Sequence, residues 1–527
     1  MKIAVLALAA CASGASAFLP KRLFSPPKIF AQTANGNGEF QQLIDHENPR
    51  LGTFSQQFWW NDEHYKGPGS PVVLFTPGEA AAAPYTGYMT NQSIMGAFAQ
   101  AIGAAVVMVE HRYWGNSSPY ATLDTKNLRH LTLKNAIADL TNFAKTVRLP
   151  FDPTGSSRPD RAPWVLSGGS YSGALSAWTE ATAPGTFWAY HASSAPVQAV
   201  GDFWQYFDPI QQGMPQNCSK DVSLVVDHID ETLIHGTSQQ KSALKDRFGL
   251  AALEHDADFA SALENALWSW QSNSFSTGYS EFYQFCDAVE GTTNQSRKNA
   301  SVPDSEGVGL EKALAGFANW VRTQMVPGFC ASSFPDYYSD RDDVQCFNTH
   351  NASSPLFTDQ SVNNNVNRQW YWMLCNEPFL WWPDGAPSSR PSIVSRLVNK
   401  PYWQRQCELL FPTQGNYTYG LASGRTAKEV NDFTGGWSDR DRTRLIWING
   451  QFDPWRSSGV SSNFRPDGPL QSTPAQPVQV IPSGIHCSDL LLENGVLNSG
   501  AQAVIDNEIN QIKEWVGEYY ESTSMQR

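Results

Sequence analysis

Residues 164–178 read WVLSGGSYSGALSAW. The apolar start suits a buried strand and the run from Ala174 suits a helix, while the glycines and serines between them are small enough to allow a sharp turn. A strand that turns abruptly into a helix at a serine with small neighbours is a nucleophile elbow, which holds one hydroxyl in a strained, presented position. Gly168 and Ser172 flank Ser170 at the two small positions. The usual pattern has glycine where Ser172 stands, so Ser170 is the candidate nucleophile in a slightly altered turn.

Working outward, PVVLFTPG (71–78), AAVVMVEHRYWG (104–115) and FWAYHASSAPV (187–197) are further apolar runs that end in Gly, Pro or Ser. They read as buried strands of a parallel sheet, and LTLKNAIADLTNFAKTVRL (131–149) between them has helical spacing. This is β-α-β punctuation, and it predicts an α/β class with a mostly parallel, doubly wound sheet. From 200 to 435 the alternation stops, and helix-like stretches, aromatics and six cysteines take over, which predicts a largely helical cap stapled by disulfides. Alternation resumes with RLIWINGQFDPW (444–455), PVQVIPSGIHCSDL (477–490) and an amphipathic helix at 501–520. The expected organisation is a core at 40–199, a cap at 200–435 and the rest of the core at 436–527, the fold of an α/β-hydrolase with an insertion.

A serine hydroxyl is a poor nucleophile near neutral pH and needs an imidazole base, itself oriented by a carboxylate. In α/β-hydrolases these follow the serine in the order Asp, His, on loops after late strands. Asp453 follows RLIWING and His486 follows PVQVIPSG, both where strands should end. Asp453 alone would pass for a turn cap before Pro454 and His486 alone for an ordinary histidine; their joint placement makes them the candidate acid and base. An oxyanion hole would take the backbone N–H of Tyr171, after the nucleophile, and one from TPGEAAA, at Gly78 or Glu79.

The bulk properties agree with a globular, soluble protein. Of 527 residues 41% are hydrophobic and 12% aromatic, with 19 Trp, which leaves much aromatic surface to bury or to line a cleft. Lys+Arg 37 against Asp+Glu 50 gives −13, without a basic cluster, which argues against a nucleic acid partner. No C-x-x-C pair or histidine cluster at ligand spacing occurs, so neither a metal nor a cofactor is expected. The N-terminus MKIAVLALAACASGASA reads as a secretory signal cut after Ala17, its apolar run being too short to span a bilayer. Residues 18–39, rich in Pro, Gly and Asn, read as an extended arm or pro-segment, with order beginning near Phe40. No membrane segment is expected.

Seven N-x-S/T acceptors, at Asn91, Asn116, Asn217, Asn294, Asn299, Asn351 and Asn416, fit a secreted or vacuolar glycoprotein. Of eight cysteines Cys11 falls in the signal, leaving Cys218, Cys286, Cys330, Cys346, Cys375 and Cys407 in the cap and Cys487 as the expected odd thiol.

The motifs GGSYSGAL, EHRYWGNSSPY, RQWYWMLCNEP, NGQFDPW and GIHCSDL resemble those of the S28 serine peptidases, and among these the fungal, secreted, acid-acting members that cleave inside chains after proline. The resemblance runs from about Phe40 to the C-terminal helix. It implies the same triad of Ser170, Asp453 and His486, an α/β-hydrolase core under a disulfide-bonded helical cap, and proline-containing peptides as substrate. Ser172 in place of glycine, and Cys487 where mammalian members carry a second histidine, are departures that bear on exopeptidase habits rather than on the triad. A prolyl ring is compact and apolar, and an aromatic slot suits it. Trp372 and Trp455 are the candidates for that slot by motif, with core packing as the alternative for each. Glu377 is a candidate for a peptide terminus, although for Glu79, Glu110 and Glu377 alike a structural ion pair, with Arg112 as a partner, is the simpler role. Activity in acid would require the imidazole to stay neutral there, which burial under the cap favours. Three other functions fit the same core: a Pro-X carboxypeptidase-type exopeptidase, a carboxylesterase or lipase, and a non-catalytic binding protein, against which the complete triad argues.

Overall fold

The computed structural model describes residues 34–292, 303–438 and 441–524. The expected signal segment, its cleavage point and the acceptors Asn294 and Asn299 lie outside them. Eight strands form one sheet: β1 (Gly36–Leu43), β2 (Thr53–Asn61), β3 (Val72–Phe75), β4 (Ala105–Val109), β5 (Trp164–Gly169), β6 (Ala189–Ser193), β7 (Leu445–Gly450) and β8 (Val478–Ile481). Their order is β1-β2-β4-β3-β5-β6-β7-β8. The pairs from β4 to β8 are parallel, whereas β1 pairs antiparallel with β2 and β2 with β4.

The parallel strands are apolar throughout because both faces are covered. Val72 and Leu74 point into one core with α2 (Leu133–Thr146) and α3 (Tyr171–Thr182), while Val73 and Phe75 point into the other with α1 (Ile94–Ile102) and the C-terminal helix Ser499–Ser524. Side-chain hydroxyls start two of these helices: Ser93 accepts from the Gly96 N–H and Thr132 from the Asn135 N–H.

The sequence reading does not anticipate β1 and β2, and β1 begins at Gly36, inside the stretch read as an arm. The reason is polar residues at inward positions. Gln42 and Gln56 are buried and bonded to each other across the strand pair at 3.0 Å, and Gln56 also donates to the Glu110 carbonyl at 2.9 Å. Those glutamines hide the two-residue alternation that marks a half-buried strand.

Between β6 and β7 the described chain contains helices and no strand of the sheet. The longer ones are α4 (Gln216–His235), α5 (Asp256–Trp268), α6 (Glu281–Val289), α7 (Leu310–Trp320), α8 (Arg368–Asn376) and α9 (Lys400–Leu410), which leaves Ser499–Ser524 as α10. Disulfides Cys218–Cys286, Cys330–Cys346 and Cys375–Cys407 staple this region. Its apolar residues are continuous with the core over α2 and α3; Trp178 of α3, for instance, stacks on Phe379 and Trp381 with centroids 5.6 and 6.2 Å apart. The architecture is an α/β-hydrolase core with an inserted helical cap. One expectation is corrected: Cys487 is disulfide-bonded, and no thiol among the described residues is free. No described helix is long and apolar enough to cross a membrane.

Candidate active site

Ser170 lies at the end of β5 with φ 58° and ψ −130°, the strained turn the motif requires, and α3 starts at the next residue. Its N–H donates to the Ser193 carbonyl at 2.8 Å, fixing the turn to the end of β6. A side chain at Gly168 would put Cβ 2.2 Å from the Ser172 carbonyl oxygen, so that glycine is obligatory. Position 172 tolerates serine because Gly78 stands opposite: a Cβ there would lie 2.6 Å from Ser172 Oγ. Ser170 Oγ and Ser172 Oγ are both buried, and neither has a hydrogen-bond partner among the described residues.

Two loops bring the candidate acid and base together beside this turn. After β7, Asp453 caps a short 3-10 turn by accepting the Trp455 N–H at 3.0 Å, and the same oxygen accepts from His486 Nδ1 at 2.9 Å. Both side chains are fully buried. The loops are zipped by the Gln451 N–H to the Ile481 carbonyl (2.9 Å) and the Phe452 N–H to the Gly484 carbonyl (2.8 Å). The Cys487 N–H donates to Ser194 Oγ at 2.8 Å, so Ser193 and Ser194 hold the serine turn on one side and the histidine loop on the other.

Beneath lies a cluster that the sequence reading missed. His191 Nε2 is 2.9 Å from Glu508 and 3.3 Å from Asp489, its Nδ1 is 2.9 Å from Ser167 Oγ, and Ser193 Oγ donates to Asp489 at 2.5 Å. Burial alone would lower the imidazole pKa, but its bonds to Asp489 and Glu508 raise it to about 9, so it is a cation held by two acids. These three are the tightest group of potential metal ligands among the described residues, and they are closed on one another as an ion triplet.

On the other side of Ser170 is the loop after β3. Gly78 has φ +79°, its N–H donates to Thr76 Oγ1 at 3.3 Å, and its Cα faces the Tyr171 ring. Glu79 is buried, its carboxyl has no hydrogen-bond partner on another of the described residues, and burial pushes its pKa well above the usual carboxylate range. Tyr171 OH is 3.1 Å from His111 Nε2. His111 Nδ1 faces the Arg112 carbonyl at 2.9 Å and burial lowers the ring to about 4, so Nδ1 carries the proton and Nε2 accepts from the phenol. A cavity of about 170 Å3 beside this loop is lined by Glu79, Tyr85, Trp114, Asn365 and Asn367 among others.

The other sequence candidates separate. Trp455 is buried beside the histidine, rings 6.5 Å apart, and joins a wall with Tyr206 (5.2 Å), Phe203 (5.9 Å) and Trp381 (6.0 Å). Trp372 does not join it. Its indole N–H donates to the Leu131 carbonyl at 2.9 Å and its ring packs edge-on against Phe411. It is a core residue because it lies on the face of α8 turned toward Phe411. Glu377 is likewise structural: it accepts the Leu133 N–H at 3.3 Å and pairs with Arg425 at 3.0 Å. Glu110 ties Ala82 to Asn116 and Ser117, and Arg112 takes Asp139, in a two-pronged pair of 2.7 and 2.6 Å, as its carboxylate. Of the acceptor asparagines, Asn91, Asn116, Asn351 and Asn416 are exposed, while Asn217 is half-buried and bonded to Glu290.

Residues 41–494 match the family model described as Serine carboxypeptidase S28. The chain is 45% identical over 486 residues to "Serine protease vicPa" of Bipolaris victoriae, covering 92% of this chain and 90% of that one. It is 29% identical to the "Probable extracellular serine carboxypeptidase" of Arthroderma benhamiae (90% of this chain, 66% of that one). It is 23% identical to the "Lysosomal Pro-X carboxypeptidase" of Bos taurus (91% and 88%).

Proposed function

The chain belongs to the serine carboxypeptidase S28 family and is a serine peptidase, and from that premise we propose that it is secreted and hydrolyses peptide bonds on the carboxyl side of proline, within chains and in acid. The observation that carries the chemistry is the buried Asp453–His486 hydrogen bond delivered beside the strained Ser170. Ser170 attacks the prolyl carbonyl while His486 takes its proton and returns it to the leaving amine; Asp453 fixes the imidazole tautomer and steadies the imidazolium. Water then repeats the sequence on the acyl-enzyme. The oxyanion is held by the Tyr171 N–H, one of the helix-start donors with no intrahelical acceptor, and by Glu79, whose N–H meets its own carboxyl, in preference to Gly78, whose N–H is given to the Thr76 hydroxyl.

Proline selectivity is what the family resemblance implies, and the buried aromatic cluster of Trp455, Tyr206, Phe203 and Trp381 beside the imidazole supplies the apolar surroundings that a compact ring without an N–H suits. Cleavage within chains is what the resemblance to the fungal members implies, and the names of the relatives, serine protease and serine carboxypeptidase, favour neither mode. Secretion is supported by the disulfides, the exposed acceptor asparagines and the relative named extracellular.

The test compares a blocked Pro-anilide, its Ala analogue and a simple ester for wild type and Ser170→Ala. Pro-anilide turnover that falls at least about 10⁴-fold in Ser170→Ala is expected. Ester turnover without Pro-anilide turnover would point to an esterase, and no turnover of any kind to a binding protein. Mass spectrometry of an intact protein substrate checks for internal cuts after proline; release of C-terminal residues alone would overturn the endopeptidase reading.

A further inference from the structure

We infer that Asn367, a residue of the cap, is the positioning residue that sets the oxyanion loop. The inference rests on the assignment of Ser170 and Glu79 proposed above. Asn367 sits just before α8 in the left-handed region, φ 56° and ψ 49°, a conformation asparagine tolerates better than most side chains. Its amide bridges two segments of the core: Oδ1 accepts from the Trp114 indole at 2.8 Å, and Nδ2 donates to the Glu79 carbonyl at 3.1 Å.

The second bond has a specific consequence for Glu79. The next N–H along, that of Ala80, turns back onto the Gly78 carbonyl at 2.9 Å. The Glu79–Ala80 peptide group is therefore tied at both ends, its oxygen by Asn367 and its N–H by Gly78. With that plane fixed, the direction of the Glu79 N–H depends on the two backbone rotations at Glu79, and the Ala80-to-Gly78 bond limits both, because the Gly78 carbonyl shares a peptide group with the Glu79 N–H. Without Asn367, the plane is tied only by a bond within the loop and can swing together with it.

Asn367 is itself anchored. The next residue, Arg368, is buried and donates to the carbonyls of Leu123, Phe357 and Leu410, while Gln369 donates to those of Tyr113 (3.0 Å) and Val362 (2.8 Å). Trp114 continues the tether, because its ring packs edge-on against His111 at 4.8 Å and His111 bonds the Tyr171 phenol. Both residues assigned to the oxyanion hole are thus fixed from the start of α8. Seating of the cap and alignment of the donors are one event.

The experiment uses the full-length enzyme with Asn367→Asp, which keeps an acceptor for Trp114 but removes the donor to Glu79, and Asn367→Gly, which keeps the backbone conformation. On the blocked Pro-anilide, kcat is expected to fall about 10- to 100-fold with KM within about three-fold, less than the loss of an oxyanion donor itself. Affinity for a peptidyl boronic acid, which mimics the tetrahedral state, is expected to fall by the same factor as kcat, and affinity for the product peptide to hold. Trp114→Phe, which removes only the indole donor, is expected to show a smaller loss of the same kind and serves if the Asn367 variants do not fold. Wild-type kcat within two-fold in the Asn367 variants, or in Trp114→Phe where it alone folds, overturns the inference, as does equal weakening of product and boronate. Ser170→Ala is the control: Ser170-dependent activity with normal Asn367 variants sinks this inference alone, whereas activity surviving in Ser170→Ala removes the underlying assignment and this inference with it.

Discussion

Glu79 is a buried carboxyl on the loop assigned to stabilise a negative oxygen, and only its neutral form is compatible with that task. Tyr85 and Tyr171 face it, the latter held by His111, and none of these supplies a positive charge. Burial raises its pKa, so the neutral form persists through the acid range, and ionisation as pH rises places a like charge beside the oxyanion. The expected outcome is an alkaline limb in kcat/KM that Glu79→Gln moves upward or flattens, measured on the Pro-anilide from acid to mildly alkaline pH. An unmoved limb would assign the titration to another group. A second residue-scale prediction concerns Gly78 and Ser172. Gly78→Ala pays about 1–2 kcal/mol for the left-handed backbone and adds a contact of 2.6 Å with Ser172 Oγ. It should lose stability and activity together, and Ser172→Gly in the same chain should restore part of both. Full additivity in that double-mutant cycle would show that the two positions do not compete for space.

At the scale of elements, the ion triplet ties β6, the histidine loop and α10 together. Removing its cation with His191→Leu leaves two buried acids facing each other, and the expected cost is about 3–5 kcal/mol, read as a lower denaturation midpoint. The loss should be smaller at pH 5 than at pH 8, because Glu508, raised by burial and by Asp489 to about 7, is then protonated. None of this was legible in the sequence. His191, Asp489 and Glu508 are far apart along the chain, and a glutamate in an amphipathic helix looks like a solvated residue until the helix is laid on the sheet. The parallel strands, by contrast, were legible because a strand buried on both faces must be apolar without interruption, and Ser170, Asp453 and His486 because each follows such a run. β1 and β2 were hidden by inward glutamines that satisfy one another. Trp372 and Trp455 were indistinguishable in sequence, both being tryptophans in motif segments. What separates them is which side of a helix or turn each occupies, a property of packing that spacing does not encode.

Across the whole molecule, buried acids set the direction of pH-dependent stability. Burial, helped by Asp202, raises Asp384 to about 8; burial and the bond to Asp221 raise Glu290 to about 8. Burial likewise raises Glu264, next to Asp384, well above the ordinary range. An acid whose pKa is higher folded than unfolded contributes stability that is fully present below its unfolded value of about 4 and is lost as pH rises through the folded value. His191, raised to about 9, acts in the same sense over a window that opens near 6.5. The net charge, −13 at pH 7, adds self-repulsion with the same sign. The fold should therefore be most stable in mild acid and lose a few kcal/mol toward pH 9, so that the apparent midpoint at fixed scan rate falls by at least about 5 °C between pH 5 and pH 9. Because Asp384 and Glu264 lie in the cap, the loss should start there. Asp384→Asn and Glu290→Gln, which cannot ionise, should flatten the profile at its alkaline end while leaving the pH 5 midpoint nearly unchanged. A midpoint as high at pH 9 as at pH 5 would mean that these acids keep their protons or find partners on ionising.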